Sequence, residues 1–434
     1  MLDRLAIELN EILDSSVAGA FLSSFGRRIF FPKGIVAQSA EAGAKAKRYN
    51  ATVGLAKSKG QPMHLSDIYG YFKEGLLQPS EIFSYAPGGG DKELRSVWKE
   101  EMIKKNPTLE GKLTSLPMVT GGLTHTISTV ANLFFDEGDE IVCPDLFWDN
   151  YELIFVHAKN GSLKFFTFYD ENKHFNVEGM KKALLDCKGN TARIILNFPN
   201  NPTGYTPSKT EMMKIRDAIV EVAESGKKVM VLSDDAYFGL FFEEETEKES
   251  LFSFLADAHE NIFAIKGDAA TKEEMVWGFR VGFITYASKG FTEKHIDALN
   301  SKTLGAIRCS VSNCDRPGQS LILKAIKEGK SYQEDKDKTF KEMEARYRIL
   351  KKELEKYQDS KLLKPYPFNS GYFMAFDTMG RSAEELRVYL LEKYSVGAIN
   401  IMDRTLRLAY CSVEQENISE LVTLVYSAAE EIWT

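Results

Sequence analysis

Short apolar runs alternate with longer stretches of helical periodicity through the middle of this chain. EIVCPD (140–145), SLKFFTFY (162–169), RIILNFP (193–199), KVMVLSD (228–234) and IFAIKGD (262–268) each predict a buried strand. Between them, residues 149–158, 179–187 and 208–226 predict helices, the last closed by Gly226. Strand-helix alternation over about two hundred residues implies a mainly parallel sheet covered by helices on both faces. Near Tyr332 the pattern changes. Residues 332–358 predict one long charged helix with Met343, Tyr347, Leu350 and Leu354 on its apolar stripe, its charges forming a solvated face. A smaller α+β region follows to the end. The first 17 residues predict an amphipathic helix, and the N-terminal segment is expected to pack with the C-terminal region. The expected division is 1–62 as a segment joining the small domain, 63–330 as the large domain and 331–434 as the small C-terminal domain.

With 434 residues, 44% hydrophobic and 27% charged, the chain suits a soluble protein with a large core. A net charge of −7 argues against a dedicated nucleic-acid binder. It says nothing against anionic small ligands, because local fields decide those. Five cysteines, an odd number without a CxxC pair, predict reduced thiols and a cytoplasmic protein rather than a disulfide framework or zinc ribbon. The six histidines fall in no metal-ligand spacing, so no metal is expected. No apolar run approaches the length of a membrane span.

In a parallel α/β sheet, ligands sit beyond the carboxyl ends of the strands. Two such ends here are unusually polar. RIILNF runs into the turn NPTG, which begins at Asn201, and KVMVLSD closes on Asp234-Asp235. The segment IKGDAATKEEMVWGFRVGF adds Lys272 and Arg280. Upstream, Gly121-Gly122 follow a short apolar run and open a helix with Ile127, Val130 and Leu133 on its apolar face. Free N–H groups at a helix start, with Thr124, make a seat for phosphate. The glycine pair fits neither GxGxxG nor a P-loop. Taken singly, these features are a turn, a helix cap and a surface lysine. Taken together, an acceptor, a carboxylate and an amine converge on one sheet edge.

As a set and in this order, these residues resemble the fold-type I pyridoxal-phosphate enzymes, specifically class I aminotransferases of the aspartate and aromatic kind. The resemblance covers most of the chain. It implies an α/β large domain, a smaller α+β domain built from both ends of the chain, and a homodimer with shared active sites. In GGLT, Gly122, Leu123 and Thr124 would hold the cofactor phosphate, and in YAPGGG Tyr85 would reach the phosphate of the neighbouring subunit. Trp148 of WDN would stack on the pyridine ring. Asn201 and Tyr237 would bond its phenolic oxygen, and Asp234 would pair with its nitrogen. Lys272 would form the Schiff base, and Arg280 would bind the phosphate. In LRLAY, Arg407 would take the substrate α-carboxylate. In RCSVSN, Arg308 would enter the partner's site to read a side-chain carboxylate, and Gly54 of NATVG would close over substrate. The implied reaction moves an amino group between a dicarboxylic or aromatic L-amino acid and a 2-oxo acid such as 2-oxoglutarate.

The sequence departs from that pattern in three places. Ala269 stands where the family usually has a serine that binds the phosphate, so one contact is lost unless Thr271 or water replaces it. Asp268 puts an anion near the phosphate seat and is expected to point elsewhere. Spacing after Pro144 leaves either Phe147 or Trp148 as the stacking ring, with WxN favouring Trp148. Two other readings share these residues: a pyridoxal-phosphate lyase or decarboxylase on the same fold, and a non-catalytic sensor. The latter would need a DNA-binding domain, and the fifty or so residues before YNATVG are not basic.

Overall fold

Each apolar run forms the strand it predicts. The structure is a computed structural model and describes residues 2–16, 18–31 and 34–434. Strands β1 (Met118–Thr120), β2 (Glu140–Pro144), β3 (Ser162–Phe166), β4 (Thr191–Asn197), β5 (Lys228–Asp234), β6 (Ile262–Ala269) and β7 (Gly282–Ala287) build one seven-stranded sheet. Their order is β1-β7-β6-β5-β4-β2-β3. Neighbours are parallel except at β7, which runs antiparallel to both β1 and β6. Alternate side chains enter two separate cores. Ile195, Met230 and Leu232 point into one, while Ile194, Leu196, Val229 and Val231 point into the other. A strand covered on both sides has no use for a polar face, which explains the unbroken apolar runs.

Helices Val177–Leu185 and Lys209–Glu224 fall where periodicity places them. Ser208 and Glu211 form a capping box at the start of the second, and Gly226 follows its end at φ +94°. The helix expected over 149–158 is shorter, Glu152–Ala158, and wound as a π-helix. Strand β7 was not foreseen in GFITYA. It begins two residues after Arg280, at the edge where the parallel strands end.

A second sheet carries the smaller domain. It comprises β8 (Lys364–Pro365), β9 (Phe373–Asp377), β10 (Ile399–Ile401) and β11 (Thr405–Ala409), in the antiparallel order β8-β9-β11-β10. Near the N-terminus, Arg4–Asp14 is helical, while Met1 and Val17, the ends of the expected helix, lie outside the described residues. Tyr49–Asn50 pairs with Val396–Gly397, so the N-terminal segment does join the C-terminal region. It also touches the large sheet's layer, because the Arg28 guanidinium donates to the carbonyls of His157 (3.1 Å) and Ala158 (3.3 Å).

The long helix α1 (Tyr332–Leu354) buries Met343, Tyr347, Leu350 and Leu354 as expected. Its charges are not simply a solvated face. Arg346 is fully buried and donates to the Cys411 carbonyl (2.5 Å) and Glu342 (2.7 Å). Lys336 reaches Glu274 at 2.8 Å, and Lys351 reaches Glu243 at 2.7 Å. Arg346 lies where the helix is buried and Lys336 where it is half-buried, and charges there must be paired, while Lys351 and most of the other charges stay exposed.

The NPTG turn joins the two layers. Gly204, at φ +74°, accepts hydrogen bonds on its carbonyl from the amides of Asn369 and Ser370, both at 2.9 Å. A Cβ there would lie 2.0 Å from the Phe373 carbonyl oxygen. Left-handed backbone costs a non-glycine residue about 1–2 kcal/mol, and the clash adds to it. Gly204→Ala should therefore lower unfolding free energy by about 2–4 kcal/mol in a denaturant titration. Gly226→Ala, also at positive φ but with open space around it, should lose only about 1 kcal/mol. Equal small losses would show that Gly204 does not join the layers tightly.

Candidate active site

Strand register brings the sequence-predicted residues to one edge. Asn197, the last residue of β4, lies opposite Asp234, the last of β5, and Asp234 lies opposite Gly267 of β6. Gly282, the first residue of β7, lies opposite both Ala269 and Thr120. An antiparallel strand starts where its parallel neighbours stop, so Arg280 arrives beside the strand ends that carry Asp234 and Lys272. Beyond this edge opens a cleft with a cavity volume of about 120 Å³. Of the expected residues, Leu123, Thr124, Trp148, Asn201, Asp234, Tyr237, Lys272 and Arg280 line it.

The helix after β1, Leu123–Phe134, opens at Gly122 with φ +84°. A Cβ on Gly122 would lie 2.3 Å from Arg280 Nη2, so only glycine lets the guanidinium lie against the helix start. Arg280 is itself left-handed (φ 54°) and donates to the Trp277 carbonyl at 3.1 Å. The amides of Leu123 and Thr124 find no acceptor among the described residues. Two free amides and a guanidinium thus face one end of the cleft, a setting for an anion.

Asp234 is 2% exposed. Its Oδ1 accepts the Ala236 amide at 3.1 Å, and its Oδ2 accepts the Tyr151 hydroxyl. Burial pushes its carboxyl up to about 6, against the pull of Tyr151 and of Lys272. Asn197 bonds the Asp234 carbonyl through Nδ2 (2.8 Å) and accepts the Asn201 amide on Oδ1 (2.7 Å), tying the NPTG turn to the end of β5. Lys272 Nζ sits 4.6 Å from the centre of the Tyr237 ring. Burial lowers its ammonium to about 8; Asp234 opposes the shift and Arg280 adds to it. A neutral amine is a nucleophile, so this lysine is poised for carbonyl chemistry near neutral pH.

Arg407, on β11, is 2% exposed and lies 4.3 Å from the centre of the Phe373 ring. It donates to Asn201 Oδ1 (2.9 Å) and the Thr52 carbonyl (2.8 Å). No carboxylate lies in ion-pair contact with it among the described residues, although Asp149 is near enough to favour its charge, and its Nε has no partner. Burial lowers its proton affinity. A buried guanidinium without an anion is costly unless a ligand supplies one. Gly54 is held near the same region, its carbonyl accepting Trp277 Nε1 at 3.0 Å, and its missing Cβ would meet Phe373 at 2.7 Å.

Tyr85 and Arg308 are not brought into this cleft. Tyr85 is 89% exposed, and Arg308 lies on the surface with a 2.5 Å bond to Ser312. Trp148 lines the cleft, whereas Phe147 packs inward between Tyr151 and Phe165. Asp268 points away, as expected. It pairs with buried Lys266 (2.9 Å) and accepts Trp98 Nε1 (3.2 Å), and Lys266 also holds Asp235 at 2.5 Å. Sequence reasoning missed Tyr151 and Asn197. Asn197 closes the RIILN run and was visible as a polar strand end. Tyr151 lies three residues after Trp148, and nothing in its neighbours marks it.

In protein freed of bound small molecules, acylation of Lys272, followed by peptide mass spectrometry, should rise with pH through a midpoint near 8. The amine is neutral above that pH and protonated below it, so labelling falls as pH drops. A midpoint near the ordinary 10.4 would contradict the burial described above.

The family described as aminotransferase class I and II matches residues 61–425. A probable aspartate/prephenate aminotransferase from Aquifex aeolicus (strain VF5) is 28% identical over 363 residues, covering 80% of this chain and 84% of its own. An aspartate aminotransferase from Pyrococcus horikoshii is 24% identical over 355 residues, with coverages of 80% and 83%. Among solved structures, an aminotransferase from Anaerococcus prevotii aligns at a TM-score of 0.81 and 23% identity, covering 92% of this chain and 97% of its own. A single mutant of Thermus thermophilus aspartate aminotransferase aligns at 0.73 and 19% identity, with the same coverages. At these identities the structural likenesses speak for the fold. The family match, spanning most of the chain and agreeing with the cleft's residues, carries the conclusion that this chain belongs to the class I and II aminotransferases.

Proposed function

We propose that the cleft holds pyridoxal 5'-phosphate and that the enzyme exchanges an amino group between an L-amino acid, dicarboxylic or aromatic, and a 2-oxo acid such as 2-oxoglutarate. The observation that carries this is one cleft lined by Lys272, Asp234 and Arg280. The cofactor fits what is there. Its phosphate suits the free amides of Leu123 and Thr124 beside Arg280, and a protonated ring nitrogen suits the buried Asp234 carboxylate. Trp148 would flank the ring, and Asn201 and Tyr237 would bond its oxygen.

When bound, the cofactor supplies an electron sink for the pair left when a substrate carbon loses its proton. The residues do the rest. Asp234 keeps a positive charge favourable at the ring nitrogen, because an adjacent carboxylate raises a cation's proton affinity. Lys272 would hold the cofactor through its amine and, with that amine free, would accept the proton from the substrate Cα and hand it back during transfer. Arg407 grips the α-carboxylate and sets the angle of the Cα–H bond. Gly54 packs closely on Phe373 because it has no side chain.

Tyr85 and Arg308 reach a partner's cleft in this proposal, Tyr85 to the phosphate and Arg308 to the substrate side chain. Support comes from their exposure and from the exposed Tyr69, Phe72 and Phe83 near Tyr85 in the sequence. Apolar surface of this extent suits burial against a second copy. Domain boundaries near residues 62 and 330 belong to the same proposal, the second falling just before α1. So does a cytoplasmic site of action, supported by five unpaired cysteines. No helix among the described residues is long and apolar enough to cross a membrane.

The decisive assay supplies cofactor, L-aspartate, L-glutamate or L-phenylalanine, and either 2-oxoglutarate or oxaloacetate, and follows the new amino acid by mass spectrometry. We expect glutamate from 2-oxoglutarate with L-aspartate or L-phenylalanine as donor, and none with Lys272→Ala. Decarboxylated product without amino transfer would refute an aminotransferase, and full turnover by Lys272→Ala would refute the role of Lys272.

A further inference from the structure

Lys272 also borders a second cavity, of about 430 Å³, and is the one residue that this cavity shares with the cleft. The volume falls in the range of small-molecule sites. Much of the wall is aromatic: Phe238, Phe241, Phe340 and Tyr372 line it, together with Met275. Phe238 and Phe241 meet edge to face, with ring centres 5.5 Å apart. Charge in the wall is unbalanced, since five lysines line the cavity against three carboxylates.

Two polar groups there lack the partners that folding usually supplies. Tyr372 is 2% exposed and lines this cavity but not the cleft. Its hydroxyl has no hydrogen-bond partner among the described residues, yet it is not sealed from solvent. The open space that Tyr372 lines is this cavity, so the hydroxyl faces into it. Buried hydroxyls are nearly always satisfied, and one left open to a cavity marks a place for a ligand atom. The second group is Lys248. Lys105 pairs with Glu273 and Lys336 with Glu274, and Lys104 lies 3.7 Å from Glu101. Lys248 donates to the Glu243 carbonyl at 2.5 Å and has no carboxylate in ion-pair contact among the described residues, although Glu243, Glu245 and Glu247 favour its charge from farther off. Its ammonium stands 5.6 Å from the centre of the Phe241 ring. A cation free for an anion, set beside aromatic walls, suits a ligand with a flat apolar body and a carboxylate end.

We propose that this cavity is a second binding site, distinct from the cleft, for a small aromatic carboxylate whose ring lies against Phe241 and Phe340 and whose carboxylate meets Lys248. The site does not depend on the cofactor assigned above. Phenylacetate, which has neither an amino nor an oxo group to exchange, is the probe, titrated calorimetrically into protein freed of bound small molecules, with acetate as the control. The native protein should bind phenylacetate and not acetate at the same concentrations. Phe340→Ala should weaken binding about tenfold. Lys248→Gln should weaken it about threefold, as loss of an exposed charge contact requires, and Tyr372→Phe, which keeps the ring and removes the hydroxyl, about threefold as well. Arg407→Met, which removes the cation proposed to grip carboxylates in the cleft, should leave it within about twofold. Binding abolished by Arg407→Met and unmoved by the three cavity variants would place the probe in the cleft and overturn the proposal, as would a native protein that does not bind phenylacetate. Melting curves accompany each variant. Should Phe340→Ala or Arg407→Met fail to fold, Lys248→Gln at its exposed position still decides, because unchanged affinity there contradicts the assigned carboxylate contact.

Discussion

A carboxylate with 2% exposure stays charged only if its surroundings pay for the lost water, and at Asp234 they do so incompletely. The Tyr151 hydroxyl and the Ala236 amide each occupy one oxygen, and burial still lifts the group to about 6. Its remaining need for positive charge is what the cleft is organised around. Lys272 meets part of it, losing some of its own proton affinity to burial as it does so. A cofactor with a protonated ring nitrogen would meet the rest. Asn197 and Asn201 then follow from geometry, because the one fastens the other's turn to the backbone of Asp234.

The other half of the cleft depends on direction of travel along the sheet. Six strands could end at this edge with polar residues and still lack a cation for an anion. Strand β7 runs the opposite way and so begins there, carrying Arg280 in at its head. From the second sheet comes Arg407, which bonds Asn201 and has no anion of its own. The proposed substrate grip and the proposed cofactor seat therefore belong to different layers, joined through the NPTG turn.

Much of this was legible because burial on both faces of a parallel strand writes long apolar runs, and because a polar residue ending such a run is conspicuous. Asn201 and Asp234 were noticed in that way, Lys272 and Arg280 in the segment that follows the last such run, and the resemblance added Arg407. Strand β7 was missed because GFITYA sits in a glycine-rich aromatic stretch and runs against its neighbours instead of extending the parallel series. Tyr151 was missed for a different reason. It matters only through a hydrogen bond to a residue 83 positions away, and neither periodicity nor spacing encodes that. Charges on the long helix misled for a related cause: Arg346 and Lys336 look solvated in sequence, and only partners far along the chain, the Cys411 carbonyl and Glu274, show that they are not.

The central claim is that Lys272, facing Asp234, is the amine to which the cofactor attaches. Its most direct measurement is borohydride reduction of protein incubated with pyridoxal 5'-phosphate, followed by peptide mapping. The account predicts a phosphopyridoxyl group on Lys272 at one equivalent per chain. A label on another lysine, or none at all, would contradict it.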